Sequence, residues 1–142
     1  MDILTAANQP VQAAFYPDFF FIRNNGRNEK VIIDDIQYIM ASKNYTKIVT
    51  KDKTHLAMVS LKQYEELLPP SIFVRIQRGC IVSLKWVESF DQHFVYGPGQ
   101  QLPIGDMYRS ALVGAVRILT YQAGQDAADL RGGKGGRLAN ML

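Results

Sequence analysis

Residues 73–87, FVRIQRGCIVSLKWV, place two arginines, a glutamine and a glycine inside strand-like apolar sequence. Val74 and Ile76 alternate with polar neighbours, which is the pattern of a half-buried strand. Arg78 and Gly79 interrupt this alternation, and an almost continuous apolar run follows them. Two interpretations are open: a turn with solvated charges, or a recognition loop that two rigid strands hold in place.

Positive charge is concentrated in two segments, although the formal net charge is only +3. One segment contains Lys43, Lys47, Lys51 and Lys53 with Asp52 as its acid, and the other contains Arg75, Arg78 and Lys85 with none. Clustered basic residues on a nearly neutral background favour a polyanionic partner. The alternative is that exposed lysines protect strand edges from aggregation.

Residue types that perform catalysis or bind metals do not form a recognisable site. His55 and His93 stand alone in strand-like segments, and no spacing joins them to Cys80 as metal ligands. Asp34–Asp35 would point to opposite faces of a strand, and Glu65–Glu66 lie on the solvent face of a short predicted helix. We therefore expect no enzyme activity, no catalytic residues, no metal site and no cofactor.

The elements that would position the polar residues are mostly strands. FFFIR (19–23) and KVIIDD (30–35) flank Asn25-Gly26, a strong signal for a hairpin turn. The segments IQYIMAS (36–42), YTKIVT (45–50) and THLAMV (54–59) follow with short polar connections, which are typical of an antiparallel meander.

A helix is predicted in the middle of the chain and another near its end. In SLKQYEELLPP (60–70), Ser60 and Gln63 form a capping-box pattern and two prolines stop the helix. Strands are then predicted at 83–90, 93–96 and 100–104. The period changes again at 106–119, which predicts a second helix with Asp106 as its N-cap.

The length of 142 residues fits one domain. We expect an N-terminal extension at 1–17, the domain at 18–120, and a flexible tail rich in Gly and Ala at 121–142. The start of the chain lacks the pattern of a signal peptide, and no apolar run approaches the ~20 residues that span a bilayer. These observations predict a cytoplasmic protein with no membrane partner.

The order of elements resembles the LytTR family of bacterial DNA-binding domains, the output module of many response regulators. The resemblance is carried by IIDDIQYIMASKNYTKIVT (32–50), SLKQYEELLP (60–69), FVRIQRGCIVSLKWVESF (73–90) and LPIGDMYRSAL (102–112). It implies a mostly β fold with antiparallel sheets side by side, one short central helix and one C-terminal helix. Because residues 1–17 are too few for a receiver domain, we expect a stand-alone form.

The resemblance implies sequence-specific binding of double-stranded DNA by strand-connecting loops, in a transcriptional regulator. The residues implied as DNA contacts are Lys43, Asn44, Tyr45, Thr46 and Lys47 in a first loop, Arg75, Gln77, Arg78 and Gly79 in a second, and Gly105 and Arg109 in a third. Arginine can donate to guanine, Asn and Gln can pair with adenine, and lysines suit phosphates. The resemblance also implies repeated DNA sites, on which two copies could form a homodimer.

Several positions depart from the family pattern, whose third segment usually reads R-I-H-R-S-aromatic-I-V-N. Gln77, Gly79, Cys80 and Ser83 replace its His, Ser, aromatic and Asn residues, and Gly105-Asp106 replaces a Ser-Arg pair. We therefore do not expect the DNA preference to follow that of relatives. A protein-interaction module with weak or no DNA recognition stays open as an alternative, as does a salt bridge for Arg75 and a core position for Tyr45.

Overall fold

A computed structural model describes residues 16–121. Of the predicted extension (1–17), only the last two residues lie within this range. Of the predicted tail (121–142), only the first residue does. No helix within the described residues is long and apolar enough to cross a membrane.

Within residues 16–121, ten strands form three antiparallel sheets. The strands are β1 (Phe19–Asn24), β2 (Arg27–Ile32), β3 (Ile36–Ser42), β4 (Tyr45–Thr50), β5 (Thr54–Ala57), β6 (Phe73–Gln77), β7 (Cys80–Ser83), β8 (Ser89–Phe90), β9 (Phe94–Gly97) and β10 (Gln100–Pro103). The central sheet has the order β5-β4-β3-β7-β6, while β1 pairs with β2 and a third sheet has the order β10-β9-β8.

Two short helices complete the domain: α1 (Leu61–Leu67) and α2 (Arg109–Gly114). Single 3-10 turns precede β3 at Ile33–Asp35 and precede α2 at Asp106–Tyr108. The prediction of a mostly β domain with antiparallel sheets, a central helix and a C-terminal helix is confirmed.

The hairpin turn and the helix N-cap that local sequence signals predict are both present in the structure. Asn25 and Gly26 both have positive φ, 53° and 76°, as a type I′ hairpin turn requires. At the start of α1, the Ser60 hydroxyl accepts a hydrogen bond from the Gln63 backbone N–H, and the Gln63 side chain accepts one from the Ser60 N–H. This reciprocal capping box satisfies two N–H groups that the helix would otherwise leave unpaired.

Two predicted elements are shorter in the structure. The backbone N–H groups of Trp86 and Val87 both donate to the carbonyl oxygen of Ser83, at 3.0 and 3.3 Å, so the chain turns within the predicted strand 83–90. The predicted helix 106–119 begins as a 3-10 turn without a side-chain cap from Asp106, and α2 ends at Gly114. Glycine is a poor helix former, and the apolar side chains of Ile118 and Leu119 beyond it are exposed rather than buried.

The central sheet separates two hydrophobic cores. Ile39 pairs with Ile81 and faces the core that contains α1 and the β1–β2 hairpin. The next pair, Met40 and Cys80, faces the core that contains the third sheet and α2. Because side chains alternate across a strand, each of β3 and β7 supplies residues to both cores.

Trp86, in the turn after β7, packs directly on the backbone of β9. Its ring lies 5.3 Å from that of Tyr38 between ring centroids. A Cβ atom placed on Gly97 would lie 2.3 Å from two atoms of the indole ring. Position 97 therefore has no room for a side chain unless Trp86 moves.

We expect Gly97→Ala to lower the free energy of unfolding by about 1–3 kcal/mol, since the added methyl group overlaps the indole. Gly114→Ala is the matched control, because an added Cβ meets nothing within 4 Å there. Urea unfolding of both variants would measure the difference. Equal stability of the two variants would show that Trp86 can move at little cost.

Candidate nucleic-acid interface

Four connections meet at one end of the central sheet. Ser42 pairs with Tyr45 next to the β3–β4 turn, and Thr46 pairs with Ala57 where β5 leads into α1. The Ala41 N–H donates to the Gly79 carbonyl oxygen at 2.8 Å, which places the β6–β7 turn beside the β3–β4 turn. A further hydrogen bond, from the Gly105 N–H to the Ile76 carbonyl oxygen at 2.7 Å, brings in the β10–α2 connection. The three predicted DNA-contacting loops are therefore neighbours.

A concave surface of about 810 Å³ lies between the first two loops and the start of α1. Lys43 and Asn44 line one side of it, Arg78 and Gly79 another, and Lys62 a third. The basic side chains of this surface suit a phosphate-bearing partner.

In the β3–β4 turn, Lys43 has a φ of 51°, in the left-handed region that non-glycine residues rarely adopt. The side chains of Lys43, Asn44 and Lys47 are exposed, and Tyr45 is 36% exposed. This turn presents two lysines and one amide to solvent from a short, paired hairpin.

Thr46 is different, because its side chain is buried with 3% exposure. Its hydroxyl oxygen lies 2.9 Å from the Tyr64 hydroxyl oxygen and 3.0 Å from the Val59 carbonyl oxygen. Burial raises the pKa of Tyr64, and the hydrogen bond with Thr46 offsets part of that increase. Thr46 links β4 to α1 beneath the loop.

In the β6–β7 turn, Arg78 is exposed while Arg75 is engaged within the fold. The Arg75 Nη1 lies 3.1 Å from Glu65 Oε1, and its Nε and Nη2 both donate to the Arg78 carbonyl oxygen. An added Cβ at Gly79 would meet only the Ala41 Cβ, at an ordinary 3.8 Å. The turn thus presents one solvated arginine.

The third loop contacts the second through Gln77, whose Nε2 donates to the Pro103 carbonyl oxygen at 2.6 Å. Arg109 donates from Nε to the Gln92 carbonyl oxygen at 2.7 Å and from Nη2 to Asp106 Oδ1 at 3.2 Å. The Asp106 side chain is 94% exposed. This acid therefore offsets the charge of Arg109 in the third of the predicted loops.

The basic residues noted in the sequence divide between the two ends of the central sheet. Lys51 pairs with Asp35 at 3.5 Å and Lys85 pairs with Asp34 at 3.1 Å, both at the end opposite the three loops. Within the described part of the chain, no ion pair forms at Lys43, Lys47, Lys62 or Arg78. These four cations lie at the loop end, whereas Lys53, which also forms no ion pair with a described residue, lies at the opposite end.

The LytTr DNA-binding domain family model matches residues 26–115. The chain belongs to the LytTR family. A solved LytTr DNA-binding domain from Bacillus cereus is similar in fold, with a TM-score of 0.62 and 19% sequence identity over 70% of this chain and 96% of that chain. The family is one of DNA-binding domains.

A similar curated protein is the heme-containing CO-sensing transcriptional regulator RcoM 2 of Paraburkholderia xenovorans. It is 38% identical over 63 residues, which cover 42% of this chain and 24% of that protein. The chain thus matches about a quarter of that regulator's length, and the similarity concerns this portion alone.

Cys80 directly follows the β6–β7 turn, but its side chain is buried in the core that contains α2. Burial raises the pKa of the Cys80 thiol to about 12, so it is not a thiolate near neutral pH. His55 is buried and its Nδ1 lies 3.3 Å from Glu29 Oε1, whereas His93 is exposed. Within residues 16–121, no three His, Cys, Asp or Glu side chains come together as a metal site.

Sequence reasoning missed Lys62 and Met58, which line the concave surface from the start of α1 and the residue after β5. Met58 is 82% exposed. Neither residue lies in a predicted loop, and only the pairing of Thr46 with Ala57 brings this segment to the loop end. A lysine followed by Gln63 in the first turn of a helix carries no local signal for such a role.

We expect Thr46→Val to lower the free energy of unfolding by about 1–3 kcal/mol, since the Tyr64 hydroxyl and the Val59 carbonyl lose a buried partner. Thr54→Val, at the exposed start of β5, is the control and should change stability by less than about 0.5 kcal/mol. Urea unfolding measures stability, and DNA titration of the folded variants should give unchanged affinity. Weaker DNA binding at unchanged stability would instead make Thr46 a contact residue.

Proposed function

We propose that this LytTR domain binds specific sequences in double-stranded DNA through the loops at one end of its central sheet and so regulates transcription. The observation that supports this most is the position of Arg78. It is the exposed arginine of a two-residue turn that adjoins the other loops, and the turn's backbone is held on both sides. An arginine in this setting can present its planar donors to guanine O6 and N7 in the major groove.

Among the other predicted DNA-contacting residues, some side chains are exposed and others form hydrogen bonds within the protein. We assign Asn44 to base contact, and Lys43, Lys47 and Lys62 to phosphates, because all four are exposed. Tyr45, Gly79 and Gly105 would contribute surface and backbone at the edges of the three loops. The engaged residues Thr46, Arg75, Gln77 and Arg109 would hold the loops. Repeated sites, and a homodimer formed on them, belong to the same proposal.

A protein-interaction module on the same scaffold is the second candidate. The exposed carboxylate of Asp106 favours it, because an acid in the third loop opposes binding to a polyanion. This candidate predicts weak DNA binding without sequence preference. It also predicts a protein partner that survives nuclease treatment in a pull-down.

Selection from a random duplex library, followed by titration at two salt concentrations, tests the proposal. We expect an enriched motif that is bound far more tightly than scrambled duplex, with affinity falling steeply as salt increases. Arg78→Ala should reduce the preference for the motif by about 1–3 kcal/mol because the guanine contact is lost. Arg78→Lys is the matched control: it retains the charge and the salt dependence but should lose most of the preference.

Absence of any enriched motif in the wild-type domain would contradict sequence-specific binding and favour the protein-interaction candidate. If a motif is enriched and Arg78→Ala binds it as selectively as the wild type, Arg78 does not contact bases. Sequence recognition would then depend on the other loops.

We expect Lys62→Ala to weaken binding of the selected site and of scrambled duplex by the same factor. The slope of log affinity against log salt should become smaller by about 0.9, the value for one lost phosphate contact. Lys53→Ala removes the same charge in the β4–β5 turn, at the opposite end of the sheet, and should leave that slope unchanged. Equal slopes for the two variants would exclude Lys62 from the interface.

A further inference from the structure

We infer that Arg75 is a positioning residue that fixes the orientation of Arg78, and that Glu65 of α1 holds Arg75 in place for this purpose. The inference rests on the proposed function, since it assigns a role within the same DNA-binding surface. DNA sequence preference would then depend in part on Glu65, an acidic residue that would not itself contact DNA.

The Arg75 guanidinium bridges the helix and the turn. One edge, Nε and Nη2, donates two hydrogen bonds to the Arg78 carbonyl oxygen, with the Nε at 3.2 Å. The remaining nitrogen, Nη1, donates to Glu65 Oε1 at 3.1 Å. All three guanidinium nitrogens are therefore used within the protein, and the neighbouring carboxylate offsets the positive charge.

The other peptide of the turn is fixed independently. The Gly79 carbonyl oxygen accepts the hydrogen bond from the Ala41 N–H in β3 at 2.8 Å. With the carbonyls of Arg78 and Gly79 both engaged, neither peptide plane of the turn can rotate freely. Arg75 thus holds the peptide that directly follows the Arg78 Cα, and β3 holds the next peptide along the turn.

The contribution of the Arg75–Glu65 ion pair to folding stability does not explain its position beside the turn. The Glu65 side chain is 42% exposed, and an exposed ion pair of this kind contributes little to folding. The ion pair would have a larger effect on DNA recognition than on stability, because a bidentate contact of arginine with guanine tolerates little displacement. The ion pair and the carbonyl contact together restrict where Arg78 can point.

In Glu65→Ala, charge and position affect two different quantities: the affinity for every duplex, and the ratio of affinities for selected and scrambled duplex. Removing an acid near DNA should strengthen binding to any duplex through electrostatics. If Glu65 positions Arg78 through Arg75, the variant should also lose about tenfold in the ratio of affinities for selected and scrambled duplex, the order expected for a misplaced bidentate contact. Glu66→Ala is the matched control, since it removes the same charge from the adjacent exposed residue of α1.

Two further variants separate positioning from direct contact. Glu65→Gln has the same charge as Glu65→Ala but keeps an acceptor for Arg75, and it should recover part of the lost preference. Arg75→Lys keeps the positive charge but cannot hold the Arg78 carbonyl and Glu65 together, and it should lose preference with an unchanged salt slope. Thermal unfolding of each variant checks that the domain remains folded.

The inference is overturned if Glu65→Ala and Glu66→Ala keep the same preference for the selected site as the wild type. It is also overturned if Arg75→Lys keeps the wild-type preference, because the contacts of the Arg75 guanidinium with the Arg78 carbonyl and Glu65 would then not affect recognition. These failures are distinct from failure of the proposed function, in which the wild-type domain itself would show no preferred sequence.

Discussion

The pairing of β3 with β7 at the centre of the five-stranded sheet is the constraint on which the rest of the domain depends. Ile39 opposite Ile81 faces one core, and Met40 opposite Cys80 faces the other. A shift of one residue would exchange the faces of every side chain on the moved strand, so two buried cores fix this register more strongly than one would. The same register places the β6–β7 turn beside the β3–β4 turn, and thereby determines which polar groups are neighbours at the loop end.

Much of the fold could be predicted because its signals are local. The Asn25-Gly26 turn, the capping box at Ser60 and the alternation in β3 and β4 each lie within a few residues of sequence. The predicted strand at 83–90 was wrong in its middle because an apolar run does not distinguish a buried strand from a turn that buries Trp86. The predicted helix at 106–119 was too long because the apolar period continues past Gly114, whereas the helix ends there and Ile118 and Leu119 are exposed.

The candidate site was less predictable, since its residues acquire their roles from partners far along the chain. The sequence left a salt bridge open for Arg75 but did not identify its partner; the structure pairs Arg75 with Glu65, ten residues earlier, and leaves Arg78 exposed. Gln77 and Thr46 are likewise engaged by residues of β10 and α1. Composition indicates that cations are present in a loop, whereas only tertiary contacts determine which of them a nucleic acid can meet.

Some polar residues of the loops are engaged within the protein and others are exposed, and this difference has an energetic consequence for recognition by loops. A loop that becomes ordered on binding loses backbone conformational entropy, which lowers affinity and permits several bound geometries. Here the Gly79 and Arg78 carbonyls are already held by Ala41 and Arg75, and the Gly105 N–H is held by Ile76. In the proposed binding mode, DNA would then restrict chiefly the exposed side chains, at about 0.5–1.5 kcal/mol for each one immobilised. Strand-anchored turns can therefore match the rigidity of a recognition helix, provided that the engaged polar residues remain bound to the protein when the exposed ones bind DNA.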